Sequence, residues 1–308
     1  MSQRQCKRYT KSKLYKLTSI EELQNLLECN LNNYRYPNYI FKNYYRSIII
    51  NDGKRLLETP KEKLKEIQRK INKLLIPIQI PNYIHNTKGK SNITNALVHK
   101  DTLSIIAKLD IIKFFPSTSR DKVYKFWKNK MKMSGCVANI MTNLTTITIP
   151  PNYSSIIDFL TKHGVNTYSH LPTGSPTSPL LSFLVNSDMF EEIYEVVKKH
   201  DGKISIFADD ITVSGATKIN QVYSKIRSIL FSNGYRVSNI KSHIYIYNNN
   251  INITGIQLCN RGDIRVPNYI NKKLKDLKKT KLTTKQRDMK INGIKNYQKQ
   301  VNKYIKEK

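Results

Sequence analysis

The sequence predicts an α+β fold in which helices pack on one face of an antiparallel sheet. Three observations carry this expectation. In Lys203–Gly215, Ile204 and Ile206, then Ile211 and Val213, alternate with polar neighbours, the period-2 pattern of half-buried strands. The run Ser104–Ile112 is apolar and broken only by Lys108 and Asp110, as a buried strand would be. Helical spacing governs Leu64, Ile67, Ile71, Leu74 and Leu75, and again Leu180, Leu184, Met189, Ile193 and Val197.

The other elements follow in chain order. Thr18-Ser19-Ile20-Glu21-Glu22 reads as a capped helix start ahead of Leu23, Leu26 and Leu27. Asn30–Tyr39, rich in Asn, Tyr and Pro, reads as loop. Tyr44–Ile50 is a strand that turns at Asn51-Asp52-Gly53 and returns through Lys54, Arg55, Leu56 and Leu57 to Pro60. The helix after Pro60 stops at Pro77, Pro81–Gly89 is loop, and Asn92–His99 is a short helix. Beyond the buried strand, a helix spans Ser119–Met131 with Val123, Phe126 and Trp127 on one face. The Thr-rich stretch 142–148 and Pro150-Pro151 make 134–170 read as irregular. Leu171–Pro179 is turn-dense and leads into one long amphipathic helix. After the 203–215 hairpin come a helix at 218–232, a strand at 244–247 and a strand at 251–258 with Thr254-Gly255 inside it. From Val266 the chain is Lys-rich with helical spacing.

Composition narrows the function. A formal charge of +31, from 53 Lys and Arg against 22 Asp and Glu, disfavours compactness unless a polyanion is usually present. Basic residues are spread along the chain with 19 Tyr and 9 Phe interleaved, which suits nucleic acid better than an anionic membrane surface. No apolar run is long enough for a transmembrane helix, and Met1-Ser2-Gln3-Arg4-Gln5 is no signal peptide. Cys6, Cys29, Cys136 and Cys259 are scattered, forming neither a disulfide frame nor a zinc site, so a cytoplasmic protein is expected.

The chemistry centres on three carboxylates. Asp209 and Asp210 sit side by side at the tip of the expected hairpin, where adjacent carboxylates repel unless a cation compensates. On the dipeptide alone, a solvated turn explains them better. Asp110, near the end of an apolar strand, is costly to bury unpaired; a salt bridge to a lysine is its alternative reading. Three carboxylates on adjacent strands suit Mg²⁺. Two such ions can activate a 3′-hydroxyl and stabilise leaving pyrophosphate, so triad and charge together point to phosphoryl transfer on nucleic acid.

At this point the sequence resembles a family. Phe207-Ala208-Asp209-Asp210 is similar to the Tyr-Ala-Asp-Asp motif of reverse transcriptases. Asp110-Ile111-Ile112-Lys113-Phe114-Phe115-Pro116-Ser117 resembles their Asp-x-x-x-Phe-Phe-Pro-Ser motif, and Leu171–Pro179 their Leu-Pro-Gln-Gly-Ala-Pro-Thr-Ser-Pro segment. Within the family the likeness is to bacterial retron reverse transcriptases. Asn95-Ala96-Leu97-Val98-His99, Ile253-Thr254-Gly255 and Arg265-Val266-Pro267 resemble their short accessory elements. Other defence-associated or abortive-infection reverse transcriptases stay open, as does a non-catalytic RNA-binding protein on a polymerase fold.

The resemblance implies a right hand. Residues 1–100 would be fingers and N-terminal helices, 101–260 a palm with part of the fingers at 134–170, and 261–308 a short basic helical thumb. Asp110, Asp209 and Asp210 would be catalytic and, with Ile111, hold two Mg²⁺ ions. Phe115 would be the steric gate that selects dNTPs, while Phe114 is core. Arg55 and Lys54 would clamp the triphosphate; Thr173, Gly174 and Lys241 would lie near the incoming nucleotide. Asn95, His99, Phe207, Lys272, Lys273 and Lys275 would meet nucleic acid, although a satisfied core pair also explains Asn95 and His99, and a solvated face the lysines. Thr173 and Phe207 depart from the family's Gln and Tyr, with activity expected to be retained. The implied partners are a structured noncoding RNA as template and primer, its DNA product, and a separate effector protein in anti-phage defence.

Overall fold

The computed structural model describes residues 8–50, 55–101, 105–245, 250–259, 263–277 and 283–306. Its strands, in chain order, are β1 (Tyr45–Ile50), β2 (Arg55–Pro60), β3 (Ile106–Asp110), β4 (Ile147–Thr148), β5 (Ser169–His170), β6 (Lys203–Phe207), β7 (Asp210–Ser214), β8 (His243–Tyr245), β9 (Ile251–Ile253), β10 (Ile256–Leu258) and β11 (Ile264–Arg265). All ladders between these strands are antiparallel, so the fold is α+β. Two compact units interleave along the chain. The first draws on the described residues of Met1–Pro81, Ile111–Glu191 and Leu230–Arg236; the second on those of Asn82–Asp110, Glu192–Ile229 and Val237–Lys308.

In the first unit, β1 and β2 pair from Tyr45↔Pro60 to Ile50↔Arg55, as the hairpin signal predicts. The turn residues 51–54 lie outside the described residues. Helix Glu62–Leu75 buries Leu64, Ile67, Ile71 and Leu75, the 3.6-period face read from sequence. Gln68 on that face is satisfied: its amide donates to Tyr45 Oη at 3.0 Å and to Leu144 O at 2.8 Å, and its carbonyl accepts from Ser175 at 2.7 Å.

Several expectations change here. Asn30–Tyr39 is not all loop, because Pro37 stands at the first position of helix Pro37–Tyr44, where its missing N–H costs nothing. The 134–170 region holds helices Gly135–Thr145 and Ser154–Lys162. Ser134 caps the first through Val137 N. Thr142, Thr145 and Thr146 return their hydroxyls to carbonyls four residues back, at 2.6, 2.7 and 2.7 Å, so the threonine run that reads as irregular is satisfied along the helix and at its cap. The expected helix over 119–131 becomes an α-helix, Arg120–Lys125, continued by a π turn, Phe126–Lys130. The single helix over 180–197 breaks into Ser178–Val185 and Ser187–Lys199, with Asn186 between them donating to Ser182 O at 2.9 Å.

The second unit is built on a sheet in the order β6-β7-β3-β8 and a smaller one, β11-β10-β9. The hairpin strands are buried on both faces, not one: Ser205, Thr212 and Ser214 are as inaccessible as Ile204, Ile206, Ile211 and Val213. Residues 251–258 are two strands, with Thr254 (φ +46°) and Gly255 (φ +85°) forming the two-residue turn that reverses them. Ile93, Ala96, Ile106, Ile251, Ile253, Ile256, Leu258, Ile264 and Val301 make the core beside this small sheet. Asn92 ties the same region together, donating to Thr254 O at 3.0 Å and Tyr297 Oη at 2.9 Å. Helices Asn268–Leu277 and Thr284–Lys306 follow, as the Lys-rich periodicity predicts. Among the described residues Cys29, Cys136 and Cys259 form no disulfide, and no helix is long and apolar enough to cross a membrane.

Candidate active site

The site rests on the pairing of β3 with β7. Asp110, the last residue of β3, lies directly opposite Asp210, the first of β7, so both side chains stand on one face of the sheet. Phe207 pairs with Asp210 in the β6–β7 hairpin, leaving Ala208 and Asp209 as its turn. Ala208 takes a positive φ of +55°, a conformation costly for a residue with a Cβ. The end of β3 is pinned by Asp110 N donating to Ser242 Oγ and Ser238 N donating to Asp110 O, both at 2.9 Å.

The electrostatics of this cluster are those of a site short of positive charge. Burial, then the charges of Asp210 and Asp110, push the Asp209 carboxyl up to about 6. Asp210 is also raised, chiefly by burial, with Lys108 and Lys241 pulling against it. Two cations stand by. Lys241 Nζ lies 3.2 and 3.1 Å from the two oxygens of Asp110. Burial lowers Lys241, but the Asp110 hydrogen bond and the three carboxylate charges outweigh that and raise it above the usual lysine value. Lys108 is two residues before Asp110 on the same strand face and donates to Asn252 O at 2.6 Å. Burial lowers its pKa, against the pull of Asp210 and Asp110.

The donor set suits a hard divalent cation: carboxylate oxygens of three aspartates, two of them held at raised pKa chiefly by burial. Among the described residues, no three His, Cys, Asp or Glu side chains are placed as they stand to hold a metal ion together. The Asp110 carboxylate is turned to Lys241 instead, so a cation would have to displace that ammonium. Ile111 is 1% exposed and has only its main-chain carbonyl to offer.

The remaining sequence-predicted residues fall as follows. Phe207 is half-buried at the end of β6, and Lys272, Lys273 and Lys275 are exposed on Asn268–Leu277. Asn95 and His99, expected to meet nucleic acid, are fully buried, which excludes direct contact in this structure. His99 bridges two strands instead, with Nδ1 2.6 Å from Ser214 Oγ and Nε2 2.8 Å from Ser205 Oγ. Asn95 donates to Thr254 Oγ1 at 3.1 Å.

In the first unit, Phe114 is buried against Phe190 and Tyr235, whereas Phe115 is partly exposed. Arg55 is exposed at the start of β2, and Lys54 lies outside the described residues. Thr173 is half-buried, and its hydroxyl accepts from Glu58 N and donates to Leu56 O, both at 3.0 Å, tying this segment to β2. Gly174 is held to the same strand by its N–H on Glu58 O at 2.9 Å, and a Cβ there would lie 2.7 Å from that oxygen. Sequence reasoning missed the group that organises this segment. Glu58, buried between Leu57 and Thr59, meets His170 Nε2 at 2.9 Å and Thr173 N at 3.2 Å. An acidic residue in an otherwise apolar strand end was its only signal.

A protein-family model described as "Reverse transcriptase (RNA-dependent DNA polymerase)" matches residues 42–258. Among curated proteins, the retron Se72 reverse transcriptase of Salmonella heidelberg (strain 579083-10) is 30% identical over 176 residues, covering 55% of this chain and 41% of that one. The retron Ec83 reverse transcriptase of Escherichia coli is 24% identical over 229 residues, 69% of this chain and 66% of that one. The retron Mx162 reverse transcriptase of Myxococcus xanthus is 24% identical over 246 residues, 73% of this chain and 49% of that one. The matched stretch thus spans less than two thirds of each of these relatives. A solved foamy viral protease–reverse transcriptase in complex with double-stranded DNA aligns over 82% of this chain and 35% of that one, at 17% identity and a TM-score of 0.45. With the family model matching well over half of its length, the chain belongs to the reverse transcriptase (RNA-dependent DNA polymerase) family.

Proposed function

We propose that this chain is an RNA-directed DNA polymerase of the retron type, copying part of a structured noncoding RNA into single-stranded DNA that stays linked to that RNA. The observation that supports this most is the facing pair Asp110 and Asp210 with Asp209 in the adjoining turn. Reverse transcriptases work with divalent metal ions; here Asp110, Asp209 and Asp210, with the Ile111 carbonyl, would hold two Mg²⁺ ions. Bound there, the ions supply activation of a primer hydroxyl and charge neutralisation at the leaving pyrophosphate. The chain's own residues do the rest. Lys241, released from Asp110, presents its ammonium to the incoming phosphates. Phe115 excludes a ribose 2′-hydroxyl and so favours dNTPs. Arg55, with Lys54, binds the triphosphate, the backbone at Gly174 lies close to the nucleotide, and Phe207 packs against the primer-template. Lys272, Lys273 and Lys275 hold duplex backbone.

On the retron reading, priming would start from a 2′-hydroxyl of the RNA, with a separate effector protein and a cytoplasmic role in anti-phage defence. Primer extension with Mg²⁺ and dNTPs tests the enzyme. Wild-type extension no higher than the background left by Asp209→Asn/Asp210→Asn would overturn it in favour of a non-catalytic RNA-binding protein, which explains the charge but not the carboxylates. Nucleic acid isolated from cells carrying the native locus tests the subtype: short RNA-linked single-stranded DNA is expected, and its absence would favour another defence-associated reverse transcriptase.

A further inference from the structure

We propose that a cavity in the first unit, bounded by Lys122, Arg236 and Phe231, receives one nucleotide of a single-stranded nucleic acid, at a position built from none of the residues assigned above. The cavity measures about 390 Å³, within the range of small-ligand pockets and large enough for a single nucleotide. Its wall is rigid. Tyr235 is 1% exposed, and its hydroxyl is fixed by Thr118 at 3.0 Å and by donation to Asn186 Oδ1 at 2.8 Å. Lys122 Nζ sits 4.0 Å from the Tyr235 ring centroid and donates to Asn233 O at 2.6 Å, leaving ammonium donors for a ligand. Arg236 crosses Gly164 so closely that a Cβ there would lie 2.5 Å from Nη1; with φ +72°, residue 164 is suited to glycine on both counts.

Two cations therefore face a cavity whose described lining contains no carboxylate. Burial holds Lys122 down to about 8, a position that a neighbouring anion would relieve. Phe231, at the end of helix Ile219–Ser232, is 76% exposed at the same rim. Cations for a phosphate, an open aromatic face for a base, and the Ser119 hydroxyl, which accepts from Lys122 N and keeps its own proton to donate, are the parts a splayed-out nucleotide uses. A base paired in a duplex could not present its face to Phe231, so the strand is single. An acidic peptide would satisfy the cations but has no use for the ring.

The test uses the full chain with a 12-nucleotide single-stranded RNA carrying 4-thiouridine and a DNA of matching sequence carrying 4-thiothymidine. After irradiation and digestion, adducts are mapped by mass spectrometry. Adducts are expected on the Phe231–Arg236 segment, competed by unlabelled single strand and not by duplex; the more productive probe identifies the strand type. Arg236→Gln, which keeps the ring, should lower adduct yield there about fivefold, and Phe231→Ala should weaken single-strand binding about tenfold. Should Arg236→Gln fail to fold, Phe231→Ala suffices, because so exposed a ring supports little of the fold. Adducts confined to other segments, or affinity and yield unchanged in both variants, would overturn the proposal. Asp209→Asn should cross-link here like the wild type, which separates this site's failure from that of the polymerase reading.

Discussion

His170 Nε2 lies 2.9 Å from Glu58 Oε1, and neither side chain reaches solvent. The other carboxylate oxygen accepts from Thr173 N at 3.2 Å, so one buried acid fastens β2 to the 170–174 segment. Glu58→Ala would leave His170 and the Thr173 amide unpaired in a dry site, a loss of about 3 kcal/mol. Chemical denaturation measures it. Primer extension should fall as well, since Gly174 loses its support. A loss below about 1 kcal/mol would mean that the pair holds nothing.

Asp209 should separate activity from stability. Its carboxyl is raised to about 6 in the fold against 3.8 unperturbed, so its burden is absent below pH 3.8 and complete above about 6. In a metal chelator at pH 8, Asp209→Asn should be more stable than wild type by about 1–3 kcal/mol, an advantage that fades towards pH 4. Primer extension should fall by about three orders of magnitude, the equivalent of about 4 kcal/mol of transition-state stabilisation. Mg²⁺ should raise the melting temperature of the wild type and not of the variant. A variant that is both active and less stable would mark Asp209 as structural.

Lys241 should trade with the cation for Asp110. Because the lysine side chain is 65% exposed, Lys241→Gln should change stability by less than about 1 kcal/mol. Less Mg²⁺ should then half-saturate a thermal-shift titration, and the KM for dNTPs should rise. Unchanged values for both would remove Lys241 from the site.

His99 sets an acid limit. Burial first, then His85 and Lys203, hold it at about 3 against 6.5 unperturbed. Between those values the unfolded chain binds the extra proton, so stability falls as pH drops below 6.5, by up to about 1.4 kcal/mol per unit. His85, lowered to about 4 by burial and Lys90, acts in the same direction. His99→Gln should be less stable at pH 7 yet lose less between pH 7 and pH 5. Denaturation curves at the two values decide; parallel losses in variant and wild type would refute the assignment.

What the sequence by itself determined is what is encoded locally. Period-2 alternation gave away β6 and β7, the 3.6 period gave away Glu62–Leu75, and an aspartate in an apolar strand marked Asp110. Each of these signals lies within a few residues of the structure it specifies. Tertiary structure decided whatever depends on partners far along the chain. Ser205 and Ser214 read as an exposed face until His99 supplies their hydrogen bonds across more than a hundred residues. Nothing local to Thr173 tells that its hydroxyl bonds Glu58 N and Leu56 O, more than a hundred residues back on β2. Thr142, Thr145 and Thr146 read as irregular because a threonine that returns its hydroxyl to the preceding turn looks the same in sequence as one that breaks it. The carboxylate pair follows the same rule. Sequence placed Asp209 and Asp210 at a turn, but only the register of β3 against β7 puts Asp110 opposite Asp210, and only the fold brings Lys241 to it from 131 positions away. Hydrogen bonds and charges act across space, and a pattern read along the chain records only the neighbours that are also near in sequence.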